Sequence, residues 1–494
     1  MNYNEYDLII SGAGPAGLAL AQCCSSIPNL KILLIEKEKV IGGCHRVKRV
    51  QHKNEKLFTE HGPRIYSSTY KNFQMLLNDM QTSFEELFTT YNFQIISVGG
   101  ETVFPNLTIL EMINLTLQYT YLLFDDNYGK DISMMKYMKS NNFTEKAIAF
   151  IDRICRLSDG ADIKKFSLHG FLQIINQQLI YTIYQPKHPN DNALMKLWEN
   201  VLKYRGVDII KDSHIIKYDY NYNKILSCDV ETNGKKQKVF GKTFVIATPP
   251  MQMINILNHT GIKNAFGDYK QLIKWAEETN YINYISISFH WKEKLDLPKV
   301  YGFPKSDWGI AFIVLSDYMD ITESQSNTVL SAAVTITDEK SKYNNKAANE
   351  CDKNEVIEEV FRQLKKVYFP NIPNPTVAIM TPNNYYDNDS KQWKSTDTAY
   401  VPAFKTNPIS FESNMYDNLY NVGTHNGKSK YNFTTLESAV TNAIALSHNL
   451  YPELQNKYKI NVAKTLKDYI ILLFIIIILI LLFYILYKCI HKWH

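Results

Sequence analysis

Asp7-Leu8-Ile9-Ile10-Ser11-Gly12-Ala13-Gly14-Pro15-Ala16-Gly17, an Ala/Leu-rich run to Cys24, and then Ile32-Leu33-Leu34-Ile35-Glu36 form the stretch whose reading decides the fold. The two short apolar runs read as buried strands and the Ala/Leu run as a helix. Strand, glycine turn, helix, strand and acid, in that order, make a dinucleotide-binding βαβ unit. Gly12 permits the tight turn, Gly14 leaves room for a diphosphate to approach the backbone, and Gly17 lets the helix pack on the sheet. Pro15 and Ala16 open the helix, whose first N–H groups and positive dipole end face the phosphates. Glu36 accepts from ribose hydroxyls, and its charge repels a 2′-phosphate.

Further segments extend this reading. Ile41-Gly42-Gly43-Cys44-His45 follows the acid, and Phe58-Thr59-Glu60-His61-Gly62-Pro63-Arg64-Ile65-Tyr66 follows that. Gly206-Val207-Asp208-Ile209-Ile210 and Ser213-His214-Ile215-Ile216 precede the run Gly241 to Pro250. Near the other end stand Leu419-Tyr420-Asn421-Val422-Gly423-Thr424 and Thr434-Thr435-Leu436-Glu437-Ser438-Ala439-Val440. Thr434 with Glu437 has capping-box spacing.

With these segments the chain resembles the flavin amine oxidase superfamily, which includes amine oxidases, phytoene desaturase-like enzymes and UDP-galactopyranose mutases. The resemblance runs in patches over roughly residues 5 to 450. It implies an FAD cofactor held by Gly12, Gly14, Ala16, Gly17, Glu36, Gly42, Gly43 and Gly62. It places the backbone of Ile215 against the adenine, and Gly423 and Leu436 beside the flavin. Arg64 is the implied catalytic-side residue, an electrostatic partner to the reduced ring or the substrate. No metal site is expected.

Several positions depart from the superfamily. Cys44 stands where many relatives carry an Arg directly after the glycine pair, with Arg46 two residues on. Thr424 stands where Asp or Glu usually follows the last-strand glycine. The run Tyr281 to Phe289, matching the strand that carries a Lys behind the flavin in amine oxidases, has Asn283, Ser286 and Ser288 but no Lys. No Cys lies between 352 and 488 to tether a flavin. Trp393-Lys394-Ser395-Thr396-Asp397-Thr398-Ala399-Tyr400 is similar to a substrate-side segment of amine oxidases. His61 to Tyr66 and Lys430-Tyr431-Asn432 are similar to the mutase branch.

Composition bounds the partners. The net charge of +5 over 494 residues is dispersed, with no basic stripe, so nucleic acid is not an expected partner. Seven cysteines without C-x-x-C spacing read as reduced thiols of a cytosolic domain. Tyr469 to Tyr487 is uncharged and almost wholly Ile, Leu, Phe and Tyr, with Lys464, Lys467 and Lys488 outside it. As a helix its 19 residues span roughly 28 Å, close to a bilayer's hydrocarbon core. The residues before Asp7 have no signal-peptide pattern.

The expected architecture is α/β: a discontinuous Rossmann-like FAD-binding domain (residues 1–75, 190–255 and 415–452) with an α+β substrate domain (76–189 and 256–414). A linker (453–468) leads to a transmembrane helix (469–487). The expected activity is hydride transfer from a small or lipid-like substrate to flavin, with dioxygen or another acceptor reoxidising it. The expected location is an intracellular membrane, single-pass and anchored at the C-terminus, with the catalytic domain in the cytosol. Two alternatives are a reduced-flavin nucleotide-sugar mutase and a non-catalytic binder similar to Rab GDP-dissociation inhibitors.

Overall fold

The computed structural model describes residues 5–60, 62, 64–91, 106–178, 182–297, 306–321, 325–367, 371–397, 399–401, 408–429 and 436–491. The motif positions His61, Pro63, Thr398, Lys430 to Asn432, Thr434 and Thr435 lie outside the described residues.

The decisive stretch folds as read. Strand β1 (Glu5–Ser11) enters the glycine turn, helix α1 (Pro15–Cys24) follows, and β2 (Ile32–Ile35) returns beside β1 in parallel. Strand β3 (Asp208–Ile210) adds parallel to β2. Then β4 (Ser213–Asn221), β5 (Lys224–Thr232) and β6 (Lys235–Ile246) run as an antiparallel meander. The 12-residue β6 does two things: its first half pairs with β5, and its second half pairs in parallel with β1. The strand Leu419–Asn421 closes the order on the other edge of β6. β1 and β2 are continuous apolar runs because the parallel part of the sheet is covered on both faces. Ile10 and Leu34 face the cluster containing α1, while Ile9 and Leu33 face the one beneath β4 to β6.

A second sheet, order β8-β9-β7-β10, is antiparallel: β7 (Ile285–Trp291), β8 (Ile310–Val314), β9 (Thr328–Val334) and β10 (Val377–Met380). Every residue of β7, β8 and β9 is buried.

Helix α2 (Lys71–Asp79) packs by Phe73, Leu76 and Leu77 into the core around α1. Helices α3 (Ile109–Phe124), α4 (Glu145–Asp159) and α5 (Leu168–Gln178) share a separate apolar core. Helix α6 (Lys353–Val367) lays Val356, Val360 and Leu364 on the second sheet, as their spacing predicts. Helix α7 (Leu436–Leu450) packs on α1 through Val440, Ala443 and Ile444.

The final helix, α8 (Leu466–His491), is long and apolar enough to cross a membrane, and none of its 466–485 stretch is buried. It starts before the expected Tyr469 because Thr465 and Asp468 cap it: the Asp468 carboxylate accepts from the Thr465 amide at 2.6 Å. The segment expected as a linker is docked on the domain. Tyr458 is buried and donates to Asp79, Asn461 exchanges two hydrogen bonds with Asn72, and Ala463 sits in the core of α3 to α5.

Candidate functional site

The three turn glycines have different reasons to be glycine. Gly12 holds φ +111°, and a Cβ there would fall 2.5 Å from the Ala247 carbonyl oxygen. A Cβ on Gly17 would fall 1.9 Å from the Gly12 oxygen. Both therefore serve the packing of α1 onto the sheet. Gly14 has an ordinary φ of −78°, and a Cβ there would meet only the Gly43 Cα, at 3.7 Å. The fold itself does not need a glycine at 14; its bare Cα opens a slot beside α1.

The second glycine pair closes that slot. Gly42 and Gly43 both have positive φ, and the Gly42 amide donates to the Ala13 oxygen at 2.8 Å. Met195 packs behind Gly42, so a side chain there would be crowded as well as strained.

Glu36 is buried at the end of β2. Its Oε2 accepts from the Ala13 amide at 2.9 Å; its Oε1 accepts from the Glu38 amide at 2.9 Å and Arg46 Nη2 at 3.1 Å. Of about four lone-pair sites on a carboxylate, these three bonds leave about one for a ligand hydroxyl. Arg46 also donates to Asp397 and to the Val40 carbonyl. Burial raises the pKa of both Glu36 and Asp397, and Arg46 opposes this in each. The result is a buried carboxylate–guanidinium–carboxylate triad between the two glycine turns and the Trp393 to Tyr400 segment.

A cleft with a cavity volume of about 100 Å³ opens between these parts. It brings together five of the expected residues: Gly14, Ala16, Gly43, Gly423 and Leu436. Cys44, Thr248, Ala399, Tyr400 and Thr424 also line it. A Cβ on Gly423 would lie 2.5 Å from the Tyr400 hydroxyl, so glycine is dictated by this close approach. The Thr424 amide donates to the Tyr400 oxygen at 3.1 Å. Tyr400 in turn bonds His425 Nδ1 at 2.8 Å, and His425 Nε2 bonds Asn421 Oδ1 at 3.0 Å. Asn421 Oδ1 is an acceptor, so Nε2 carries the proton and Nδ1 accepts from the tyrosine. Burial holds His425 neutral, its pKa pushed down to about 3, and pushes the Tyr400 phenol up.

Gly12, Gly17, Glu36 and Gly42 do not line the cleft but lie behind it: Gly12 and Gly17 approach Ala247, which lines it, and Glu36 and Gly42 bond Ala13 beside Gly14. Three expected residues lie elsewhere. Ile215 is buried in the core beneath β4 to β6; its carbonyl contacts His259 Nε2 at 2.8 Å, while Ser213, two residues before it, donates its amide to the Glu36 oxygen at 2.9 Å. Gly62 sits 3.7 to 4.0 Å, by its would-be Cβ, from Tyr284 and Ala333 of the second sheet region. Arg64 does not line the cleft: it pairs with Glu60 at 2.8 Å, a carboxylate four residues away that takes its charge locally. Its positive charge is still felt at Cys44, where it partly offsets the burial that raises the thiol pKa.

Glu437 has a role its capping-box spacing does not foretell. Its carboxylate accepts from the Asn72 and Phe73 amides at 2.9 Å and so caps α2 from α7. Burial lifts its pKa to about 7. Thr248 carries no role in the sequence reading, although it stands two residues past a parallel strand beside the glycine turn; Tyr400 closes the Trp393 segment read there as substrate-side. Among the described residues no group of His, Cys, Asp and Glu is placed to hold a metal.

The residues present fit a dinucleotide. The slot at Gly14 and Gly43 is one that a methyl would fill, Glu36 keeps an acceptor free, and Thr248, which lines the cleft, has a buried Oγ with no protein partner.

Comparison with known proteins agrees. The family described as "NAD(P)-binding Rossmann-like domain" matches residues 10–80. UDP-galactopyranose mutase of Mycoplasma genitalium is 28% identical over 189 residues, 38% of this chain and 39% of the mutase, so the match spans about two fifths of that relative. Among solved structures, an oxidoreductase from Methanosarcina mazei superposes with TM-score 0.61 at 13% identity, over 89% of this chain and 99% of the other. Putrescine oxidase bound to putrescine gives 0.61 at 12% identity, over 91% and 99%. Cyclohexylamine oxidase from Brevibacterium oxydans gives 0.58 at 12%, over 90% and 99%. Fold and cleft together define a Rossmann-like nucleotide domain joined to a second sheet, in the arrangement of these solved structures. The chain shares its fold with these amine oxidases and this oxidoreductase.

Proposed function

We propose that this chain is an FAD-dependent oxidoreductase that oxidises a small or lipid-like substrate and is held to an intracellular membrane by α8. The observation that carries the proposal is the cleft in which Gly14, Gly43, Gly423 and Leu436 converge from four distant segments. The α1 N-terminus and the amides around Gly14 would hold the diphosphate, and Glu36 would accept from a ribose hydroxyl. Bound there, FAD would supply the two-electron sink, and dioxygen or another acceptor would return it to the oxidised state.

The chain's own residues orient and insulate. Tyr400, backed by His425 and Asn421, gives the cleft wall a neutral hydrogen-bonded stretch. Arg46 holds Glu36 and Asp397 in place and thereby ties the nucleotide side to the substrate side. The uniformly exposed apolar surface of α8 supports a span, because such a surface in water is strongly disfavoured.

The mutase relative favours a second reading, reduced-flavin isomerisation of a nucleotide sugar. One experiment separates them. The full chain, purified in mild detergent, is screened anaerobically with amines, isoprenoid lipids and UDP-galactopyranose. Substrate-dependent bleaching of bound flavin supports oxidation. Turnover of the nucleotide sugar only after dithionite reduction, without bleaching by any substrate, refutes it.

A further inference from the structure

We propose that α3 lies in the bilayer surface, its outer face embedded among lipid headgroups and upper acyl chains beside the point where α8 enters; this rests on the reading of α8 as a membrane span. The two faces of α3 differ sharply. Glu111, Leu115 and Leu122 point inward, and Leu115 and Leu122 join the core shared with α4 and α5. The Glu111 carboxylate is spent on capping: it accepts from the Thr108 and Thr144 amides, each at 2.6 Å. It is also the only charged residue between Ile109 and Phe124.

The outward face is apolar and bare. Phe124 is 87% exposed, Leu110 78% and Ile109 72%, with Ile113, Leu117 and Tyr121 each more than half exposed. At about 100° per residue these positions fall on one arc of the helix, with the uncharged Thr116 and Thr120 between them. A soluble surface helix carries charge on its outer face; this one carries none. An uncovered apolar strip of this kind marks an interaction surface, and Leu, Phe and Tyr on one helical face suit an interfacial lipid contact. Among the described residues nothing covers it.

The neighbourhood of α3 selects the occupant. Asp126, just past its C-terminal end, pairs at 3.1 Å with Lys467 in the first turn of α8. Ala463, three residues before α8, is buried in the same apolar core as Leu115 and Leu122. The start of the spanning helix is thus fixed to the end of α3, so a bilayer that receives α8 has its surface at α3. A second consequence concerns access. Gly160, at the end of α4, lies against Ile282; the Ile282 amide donates to the Ala399 oxygen at 2.9 Å, and Ala399 lines the cleft. The helical layer that carries α3 is therefore linked to a cleft wall through Ile282.

The test uses the full chain with dansylalanine in place of Leu117, reconstituted into vesicles of phosphatidylcholine and phosphatidylserine. Leu117 is half exposed, so the probe leaves the helical core intact. Expected is several-fold stronger quenching by lipid carrying a nitroxide near the headgroup than by iodide in the water. Free quenching by iodide overturns the proposal, because it shows a face in water. Protection from both quenchers also overturns it, because it shows a protein partner or a second copy on the face. Flotation of the same sample separates the two readings: a chain that fails to float has lost the α8 anchor itself, whereas one that floats with a water-exposed probe refutes only the role of α3.

Discussion

Gly14→Ala and Gly17→Ala make a matched pair, because they add the same methyl to the same turn with opposite expected consequences. At Gly17 the new Cβ would stand 1.9 Å from the Gly12 oxygen, a backbone atom that cannot yield without moving β1. The expected cost is about 3 kcal/mol or more of folding stability. At Gly14 the backbone is already in a conformation alanine adopts, and the only neighbour is Gly43 Cα at an ordinary 3.7 Å. Gly14 is the N-cap of α1, so alanine costs the apoprotein about 1 kcal/mol at most. The methyl does occupy the diphosphate slot. Losing one charge-assisted bond from backbone to phosphate costs about 1.5–3 kcal/mol, roughly a 10- to 100-fold weaker Kd for FAD. Thermal unfolding of the apoproteins and titration of free-flavin fluorescence read the two effects separately. A Gly14→Ala protein with wild-type FAD affinity, or one as unstable as Gly17→Ala, would refute the assignment of Gly14 to the ligand and Gly17 to the fold.

Arg46→Met should destabilise the protein by about 3–5 kcal/mol, because it leaves Glu36 and Asp397 buried without their cation; chemical denaturation measures it, and partial recovery in Arg46→Met/Asp397→Asn is expected. His290 is buried, bonds the Phe58 carbonyl at 3.0 Å and has its pKa pushed down to about 4. A folded pKa below the unfolded value of about 6.5 means that the unfolded chain binds the extra proton. The stability advantage over His290→Gln is therefore complete above pH about 6.5 and falls by about 1.4 kcal/mol per unit down to pH about 4; a constant difference in parallel pH titrations of unfolding would contradict this. Truncation after Thr465 should give a stable protein that stays in the supernatant of a membrane spin, whereas truncation after Lys457 removes Tyr458, Asn461 and Ala463 from their docking sites and should lower Tm measurably. Equal Tm values for the two truncations would show that the docked segment contributes nothing.

What could be seen in the sequence was local. β1, the glycine turn, α1, β2 and Glu36 lie within 32 residues, and each is set by its own neighbours: apolar runs for the strands, glycines where φ or packing demands them. The runs at Ile285, Ile310 and Thr328 are legible as strands for the same reason, and Val356, Val360 and Leu364 as one helical face. What stayed hidden depends on contacts far apart in the chain. Glu437 caps α2 across 365 residues, and Arg46 reaches Asp397 across 351, so no spacing rule could pair them. Tyr400 is legible only as part of a substrate-side segment; its contact with Gly423 comes from the fold. Arg64 is the reverse case: a cation near a motif suggests a ligand contact, and the structure gives it a local partner, Glu60, four residues away in sequence. The polarity of 453–468 suggests a free linker, while its few buried side chains, Leu454, Tyr458 and Ala463, are what dock it.

The central claim, that the cleft between the two glycine turns takes one FAD, is tested most directly by titrating the purified full-length apoprotein with FAD and reading the bound flavin absorbance and its stoichiometry. One tightly bound flavin per chain, with Gly14→Ala binding far more weakly at unchanged fold, is the predicted result. A well-folded preparation that is colourless as isolated and takes up no flavin on titration contradicts it.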